Sequence, residues 1–335
     1  MNATAFYELL EKNHSFMITS HTSPDGDSIG SVLALTLALL KTGKKAVPVI
    51  NDDIPKKYKF LPGSNLIIKE TSGNYDVIAA LDCGDIERLG FDRQLREYGR
   101  TIVNIDHHKS NSYFGDLNLV YIDASSVGEI IYKLLDGKVE IDYDIALNLF
   151  TSIITDTGSI RYSNTTPLSL EILAKLVKKG IKPDYVSRQV FERRSLSSIT
   201  LLKSVLNTLE ISADGKIASL FITKDMMKDA VANEDDTDGI INYAREIEGV
   251  EVAVLFKESE DSLIKVGFRS NEWVDVSMIA AKFNGGGHSK AAGCHIKLPL
   301  KEAREIVLNT VKLVIMEESG ERCNQCSKTS GNDIS

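Results

Sequence analysis

The stretch Tyr75-Asp76-Val77-Ile78-Ala79-Ala80-Leu81-Asp82 decides the fold. An apolar run this short, closed by a carboxylate, reads as a strand buried on both faces. The run Thr101 to Ile105 repeats the pattern and ends in Asp106-His107-His108. Ser15 to Ser20 repeats it again and leads into His21-Thr22-Ser23-Pro24-Asp25-Gly26-Asp27.

Outward from these runs, Ala46 to Asn51 and Leu119 to Ile122 add two more strands. Ser28 to Thr42 is predicted to be a helix, with Ser28 or Asp27 able to cap it and Gly43 to end it. Further helices are expected over about Asp144 to Thr155 and over Pro167 to Lys179, the latter stopped by Gly180. Apolar strands separated by helices predict an α/β domain, doubly wound on a mainly parallel sheet. Val186 to Leu209 is polar and helical in pattern, with Arg188, Arg193 and Arg194, and reads as a connector. Beyond Ile211 the pattern changes. Lys216 to Ile222, Val250 to Lys257, Leu263 to Ser270 and His295 to Lys297 read as strands. Helices are expected at about Asp238 to Glu246, Val276 to Phe283 and Leu300 to Glu317. The second domain is thus a smaller α+β unit. The expected division is 1–186, a helical connector 187–210, a second domain 211–319 and a disordered tail 320–335.

Bulk properties narrow the function. The 335 residues suit two domains, and 43% apolar with 26% charged residues is a globular composition. A net charge of −8 excludes a ligand such as long duplex nucleic acid, whose many phosphates need many cations. The longest apolar stretch, Ile29 to Leu40, falls short of the ~20 residues that cross a bilayer. Met1 to Glu11 carries acids and no apolar signal core, so a cytoplasmic protein is expected. Of the four cysteines, only Cys323 and Cys326 are close, and without a second pair they cannot complete a zinc site.

The carboxylates and imidazoles carry the chemistry. In an open parallel sheet, groups just past the carboxyl ends of the strands converge on one edge. His21, Asp25 and Asp27, then Asp82, then Asp106, His107 and His108 all follow strands, as does Asp123, while Asp156 ends a helix. An Asp after a strand is commonly only a turn former or cap. Several such coincidences at one edge, with two adjacent histidines, favour a metal site instead. Carboxylate with imidazole suits manganese, zinc or iron, and the oxygen-rich balance suits manganese best, with magnesium or cobalt able to substitute.

His21-x-x-x-Asp25-x-Asp27, Asp82, Asp106-His107-His108 and Asp156 resemble the four successive motifs of the DHH phosphoesterase superfamily. The resemblance implies two manganese ions per site. One would be held by His21, Asp25 and Asp82, the other by Asp27, Asp82, His107 and Asp156, with Asp82 bridging. His108 would face substrate as a catalytic group, and Asp106 would orient the histidines. A second signal is Asn284-Gly285-Gly286-Gly287-His288-Ser289-Lys290. Consecutive glycines let a backbone approach an anion closely, although alone they suggest only a flexible loop. GGGH is similar to the signature loop of the DHH-associated C-terminal domain. The resemblance implies substrate contacts from Gly285, Gly286, Gly287, His288, Arg269 and Ser270. Arg161 is a further candidate, and Tyr113, Phe114 and Tyr162 could stack on a base.

Within that family the chain looks like the compact NrnA-type oligoribonucleases. It has no obvious extra OB-type domain of the exonucleases and none of the membrane segments of the larger cyclic di-AMP enzymes. The implied substrates are short RNA oligonucleotides or small nucleotide phosphates, including 3′-phosphoadenosine 5′-phosphate, bound in a cleft between the domains. A homodimer is implied as well. A stand-alone cyclic di-AMP or pApA phosphodiesterase would use the same residues. A family II pyrophosphatase fits less well because of the GGGH loop, and a binding-only protein less well because the ligand set is complete.

Overall fold

The computed structural model describes residues 3–91, 94–259 and 263–329. The chain forms two units, Met1–Arg193 and Arg194–Ser335.

In the first unit the apolar runs form β1 (Ser15–Thr19), β2 (Lys45–Val49), β3 (Tyr75–Leu81), β4 (Gly99–Asp106) and β5 (Leu117–Val120). All pair parallel, in the order β2-β1-β3-β4-β5. The central strand is therefore β3, and the chain changes direction across the sheet between β1 and β3, the position where open sheets bind ligands. Thr19 is level with Ala80, and Ala80 with Asn104. Two residues further on, His21, Asp82 and Asp106 leave the same edge.

The helices are α1 (Thr4–Lys12), α2 (Gly26–Lys41), α3 (Val127–Leu135), α4 (Tyr143–Asp156), α5 (Pro167–Lys178) and α6 (Pro183–Ser187). On β3, Val77, Ala79 and Leu81 join a core with α2, α3 and α4, while Ile78 and Ala80 join an opposite core with Leu89, Leu95 and Tyr98. Both faces are buried, and full burial of a side chain such as Ile78 contributes ~1.5–3 kcal/mol. The second face is covered by 3-10 turns at Ile86–Leu89 and Leu95–Glu97 in place of helices.

Local chemistry sets the helix starts. The cap of α2 is Asp25, not Ser28 or Asp27: its carboxylate accepts from Ser28 N at 3.0 Å, and Asp25 N donates to the Ser28 hydroxyl at 2.9 Å. This reciprocal pair starts the helix at Gly26 and fixes Asp27 in its first turn. At Gly30 a Cβ would lie 2.6 Å from Asn148 O, so α2 and α4 approach backbone to backbone. That approach brings Asp27 near the end of α4, which carries Asp156.

The second unit contains α7 (Leu196–Leu206), β6 (Glu210–Ile211), β7 (Ile217–Ile222), α8 (Lys224–Asp229), α9 (Ile240–Arg245), β8 (Val252–Glu258), β9 (Ile264–Ser270), α10 (Val276–Ala281), β10 (Gly286–His288), β11 (Ala291–Ile296) and α11 (Leu300–Thr329). Its sheet runs β10-β11-β9-β8-β7-β6, antiparallel except between β7 and β8. α10 and α11 pack on one face and α7 and α9 on the other.

Three further expectations change. Val186 to Leu209 is not one helix: a π-helical turn at Arg188–Glu192 follows α6, Arg193 is extended, and Ser195 caps α7. α11 passes its expected end near Glu317 and runs to Thr329, into the stretch read as a disordered tail, while residues 330–335 lie outside the described residues. The glycine stretch is a strand, β10, paired with β11. No helix among the described residues is long and apolar enough to cross a membrane.

Candidate active site

Three adjacent strands, β1, β3 and β4, deliver His21, Asp82 and the Asp106-His107-His108 run to one edge. His21 Nε2 lies 3.5 Å from Asp82 Oδ2. His107 Nε2 lies 3.7 Å from Asp82 Oδ1, 3.9 Å from Asp27 Oδ2 and 3.6 Å from Asp156 Oδ2. The other ring nitrogens are fixed by backbone: His21 Nδ1 is 2.7 Å from Thr22 O, and His107 Nδ1 is 3.1 Å from Ala124 O. A carbonyl only accepts, so Nδ1 donates in both rings and Nε2 faces the carboxylates. Metal-binding imidazoles take this arrangement.

Asp82 is 2% exposed and has a left-handed backbone, φ 52, rare for a residue with a Cβ and costing ~1–3 kcal/mol. Its Oδ1 is buried without a hydrogen-bond partner. Asp27 is buried too, but its carboxylate accepts from Val127 N at 2.8 Å and Gly128 N at 3.1 Å at the start of α3, and from the Ser31 and Ser152 hydroxyls. Asp25 is exposed at the rim.

The charges depend on one another. Burial opposes a charged His21, yet Asp82, assisted by Asp25, raises its pKa to about 9. Burial likewise opposes a charged His107, but Asp156, Asp27 and Asp82 raise it to about 9. Burial would raise Asp82, but His21, His108 and His107 hold it below the usual carboxylate range. Burial and the neighbouring Asp82 push Asp27 up to about 7 against the pull of His107. Asp156 is raised well above its ordinary value by burial, then by Asp27 and Asp82, with His107 opposing.

Three groups offer donor atoms within 4.8 Å of one another: His21 with Asp25 and Asp82, Asp27 with His107 and Asp156, and Asp82 with His107 and His108. The orphaned Asp82 oxygen and the oxygen–nitrogen donor set fit divalent cations. Among the residues read as ligands, the first two groups join His21, Asp25, Asp27, Asp82, His107 and Asp156. His108 belongs to the third group, and its Nδ1 lies 2.6 Å from Asp106 Oδ1. Asp123 is exposed and in none of the three.

The other sequence candidates divide. Arg161 is exposed after a turn in which Gly158, Ser159 and Ile160 are all left-handed, and its Nε donates to Gly158 O at 2.8 Å. Tyr113 is 59% exposed with φ 55, whereas Phe114 packs into the core. In the second unit Arg269 is half-buried at the end of β9 and donates from Nη1 to Phe268 O at 2.9 Å. Ser270, read as a substrate contact, is buried and donates to Val274 O at 2.7 Å, so its hydroxyl holds the following loop. The side chain of His288 lies outside what is described, as do those of Cys323 and Cys326.

Packing explains two of the three glycines. A Cβ at Gly285 would lie 2.2 Å from Gly293 O, and one at Gly287 2.5 Å from Ala291 O with φ 145. Both are needed for close pairing of β10 with β11. Gly286 is exposed and a Cβ there would meet nothing within 4 Å. Packing within the unit gives no reason for glycine at that position.

Sequence reading missed three asparagines. Asn164 donates to Asp156 Oδ2 at 3.2 Å, and Asn111 and Asn104 lie behind Asp106. Asn104 had a readable signal: a polar side chain inside the apolar run Thr101 to Ile105.

The chain matches the DHH family, N-terminal domain, over residues 15–154, and the DHHA1 domain over 214–317. It is 35% identical over 308 residues to the bifunctional oligoribonuclease and PAP phosphatase NrnA of Thermus thermophilus, covering 88% of each chain. It is 30% identical to the NrnA of Bacillus subtilis, over 84% of this chain and 89% of that one. In structure it is similar to an exopolyphosphatase-related protein from Bacteroides fragilis, with a TM-score of 0.86 and 26% identity over 94% of this chain and 95% of that one. With the carboxylates and histidines of its strand ends in the matched N-terminal part and its GGGH strand in the matched C-terminal part, the chain belongs to the DHH family of phosphoesterases and is a hydrolase.

Proposed function

We propose that this protein is a two-metal phosphoesterase that hydrolyses RNA oligonucleotides of about two to five nucleotides to mononucleotides. By the same chemistry it removes the 3′-phosphate of 3′-phosphoadenosine 5′-phosphate. The observation that carries the reading is Asp82: a buried carboxylate with an orphaned oxygen, shared by two overlapping ligand groups. The relatives named for these two activities support the substrate class.

In this reading His21, Asp25 and Asp82 would hold one ion, and Asp27, Asp82, His107 and Asp156 the other. Manganese is the assigned metal because carboxylate oxygens outnumber imidazoles in the set. When bound, the ions supply a Lewis acid that makes water a nucleophile at neutral pH and offsets charge on the phosphoryl group. The chain's own residues do the rest. The Nδ1–H bonds of His21 and His107 to backbone carbonyls keep Nε2 of each ring facing the carboxylates, where it would join them as a ligand once its proton leaves. Asp106 holds His108 at 2.6 Å, and His108 turns toward the substrate, where it donates a proton to the leaving oxygen. Arg161 and Arg269 provide guanidinium forks for phosphate, Gly286 lets backbone approach the nucleotide, and Tyr113 offers an exposed ring to a base. The assembly in this reading is a homodimer.

The test is manganese-dependent release of mononucleotides from mixed-sequence RNA of about two to five nucleotides and of phosphate from 3′-phosphoadenosine 5′-phosphate. Turnover of cyclic di-AMP with both left intact would replace this reading by that of a signalling phosphodiesterase.

A further inference from the structure

Behind His108 lies a buried polar chain with no part in metal binding. Asp106 accepts from His108 through Oδ1 and from Asn111 Nδ2, at 2.5 Å, through Oδ2. The same Asn111 amide donates to Asn104 Oδ1 at 2.8 Å, and Asn104 Nδ2 donates to Cys83 O at 3.0 Å. Asn104 and Asp106 are fully buried and Asn111 is 8% exposed. On its other side Asn111 Oδ1 accepts from Tyr113 N at 2.7 Å.

The partners fix the orientation of the Asn111 amide. Turning it over would set its oxygen against the Asp106 carboxylate and against Asn104 Oδ1, and would leave the Tyr113 N–H facing an NH2 group. Asn111 therefore donates to Asp106. A neutral donor satisfies one carboxylate oxygen without cancelling its charge, and the other oxygen remains directed at His108 Nδ1. Loss of that donor leaves a buried carboxylate oxygen unpaired, and the carboxylate can rotate away from the imidazole.

We propose that Asn111 is a positioning residue of the reaction: through Asp106 it fixes the ring of His108, and Asn104 locks Asn111 in turn. The inference rests on the assignment of His108 as a catalytic group, and it predicts that the two side chains act as one unit.

The test is a double-mutant cycle. Asn111→Leu keeps much of the volume and removes the donors. It should lower kcat on the wild type's best substrate by about 10–100-fold, the range seen when outer partners of a site are removed. Bound manganese should be unchanged by metal titration. In a His108→Ala background the same change should cost less than about twofold. In metal-free protein the His108 Nδ1 proton should give a downfield NMR signal in wild type that weakens or vanishes in Asn111→Leu. Equal losses in both backgrounds, lost manganese, or an intact His108 signal with reduced kcat would each overturn the proposal. If Asn111→Leu does not fold, Asn111→Ser enters the same cycle with the same criteria. Wild-type activity on the substrates of the preceding section is measured separately. A wild type inert on short RNA but active on another phosphodiester sinks the substrate reading and leaves the cycle able to decide this one.

Discussion

Asp82 Oδ1 stands 3.7 Å from His107 Nε2, buried and without a hydrogen-bond partner. An isolated buried carboxylate oxygen is costly, and here it faces an imidazole nitrogen whose ring is held by the Ala124 carbonyl. Both atoms are placed by neighbouring parallel strands, so the relationship is built into the register of β3 and β4. In the proposed site Asp82 is the shared ligand, and Asp82→Ala removes it. Hydrolysis should fall by about three orders of magnitude, ~4 kcal/mol of transition-state stabilisation, with bound manganese reduced and the circular dichroism spectrum unchanged. Undiminished manganese binding in that variant would contradict the ligand assignment.

His108 behaves differently in this account. His108→Ala should lower kcat by about 100–1000-fold, within the range for a lost general acid, while manganese binding stays intact. Because His108 also lies in a ligand group with Asp82 and His107, loss of metal from the variant would move it among the ligands.

The glycine strand gives a prediction about stability. Gly285→Ala and Gly287→Ala place a methyl group against backbone, at 2.2 Å and 2.5 Å, and each should cost ~1–3 kcal/mol in urea denaturation. Gly286→Ala meets no protein atom and should change stability by less than ~0.5 kcal/mol. If Gly286 serves close approach of a nucleotide, that variant should raise KM severalfold. An unchanged KM would remove Gly286 from the substrate site.

Metal binding should depend on pH in a defined direction. His21 and His107 are each raised to about 9, above the ~6.5 of an unperturbed imidazole. Each proton must leave before Nε2 can hold a cation, so apparent manganese affinity rises as pH increases toward about 9 and then levels off. Asp27, at about 7, adds a proton to be displaced below neutrality. Calorimetry in buffers of different ionisation enthalpy should show proton release at pH 7. For the metal-free protein the sign is opposite. A raised imidazole pKa stabilises the fold fully below ~6.5, and that contribution is lost as pH rises through about 9.

The sequence carried the strands and the side chains gathered at their ends because the two coincide. A continuous apolar run identifies a doubly buried strand, and the first polar residue after it must sit at the sheet edge. Asp82 and Asp106 could be read that way, and β3 runs from Tyr75 to Leu81 as expected. Nine-residue α3 escaped notice, although its Ser126 cap presents the Val127 and Gly128 N–H groups to Asp27. The GGGH stretch was read as a loop because glycine signals freedom. Gly285 and Gly287 are instead required by contact with β11, which no local pattern encodes. The helical pattern over Val186 to Leu209 is interrupted at the extended Arg193, and Ser195, whose side chain accepts from Ser198 N, starts a new helix. Asn111 was unreadable in advance, since a polar residue near the histidines gains meaning only from the buried neighbours it meets.

The most direct test of the central claim is the product profile of manganese-loaded protein on 5′-labelled RNA of graded length, with Asp82→Ala in parallel. The account predicts mononucleotides, formed fastest from the shortest oligomers, no cleavage of long duplex, and activity in the variant lower by about three orders of magnitude. Activity near the wild-type level in Asp82→Ala, or rates rising with chain length, would contradict it.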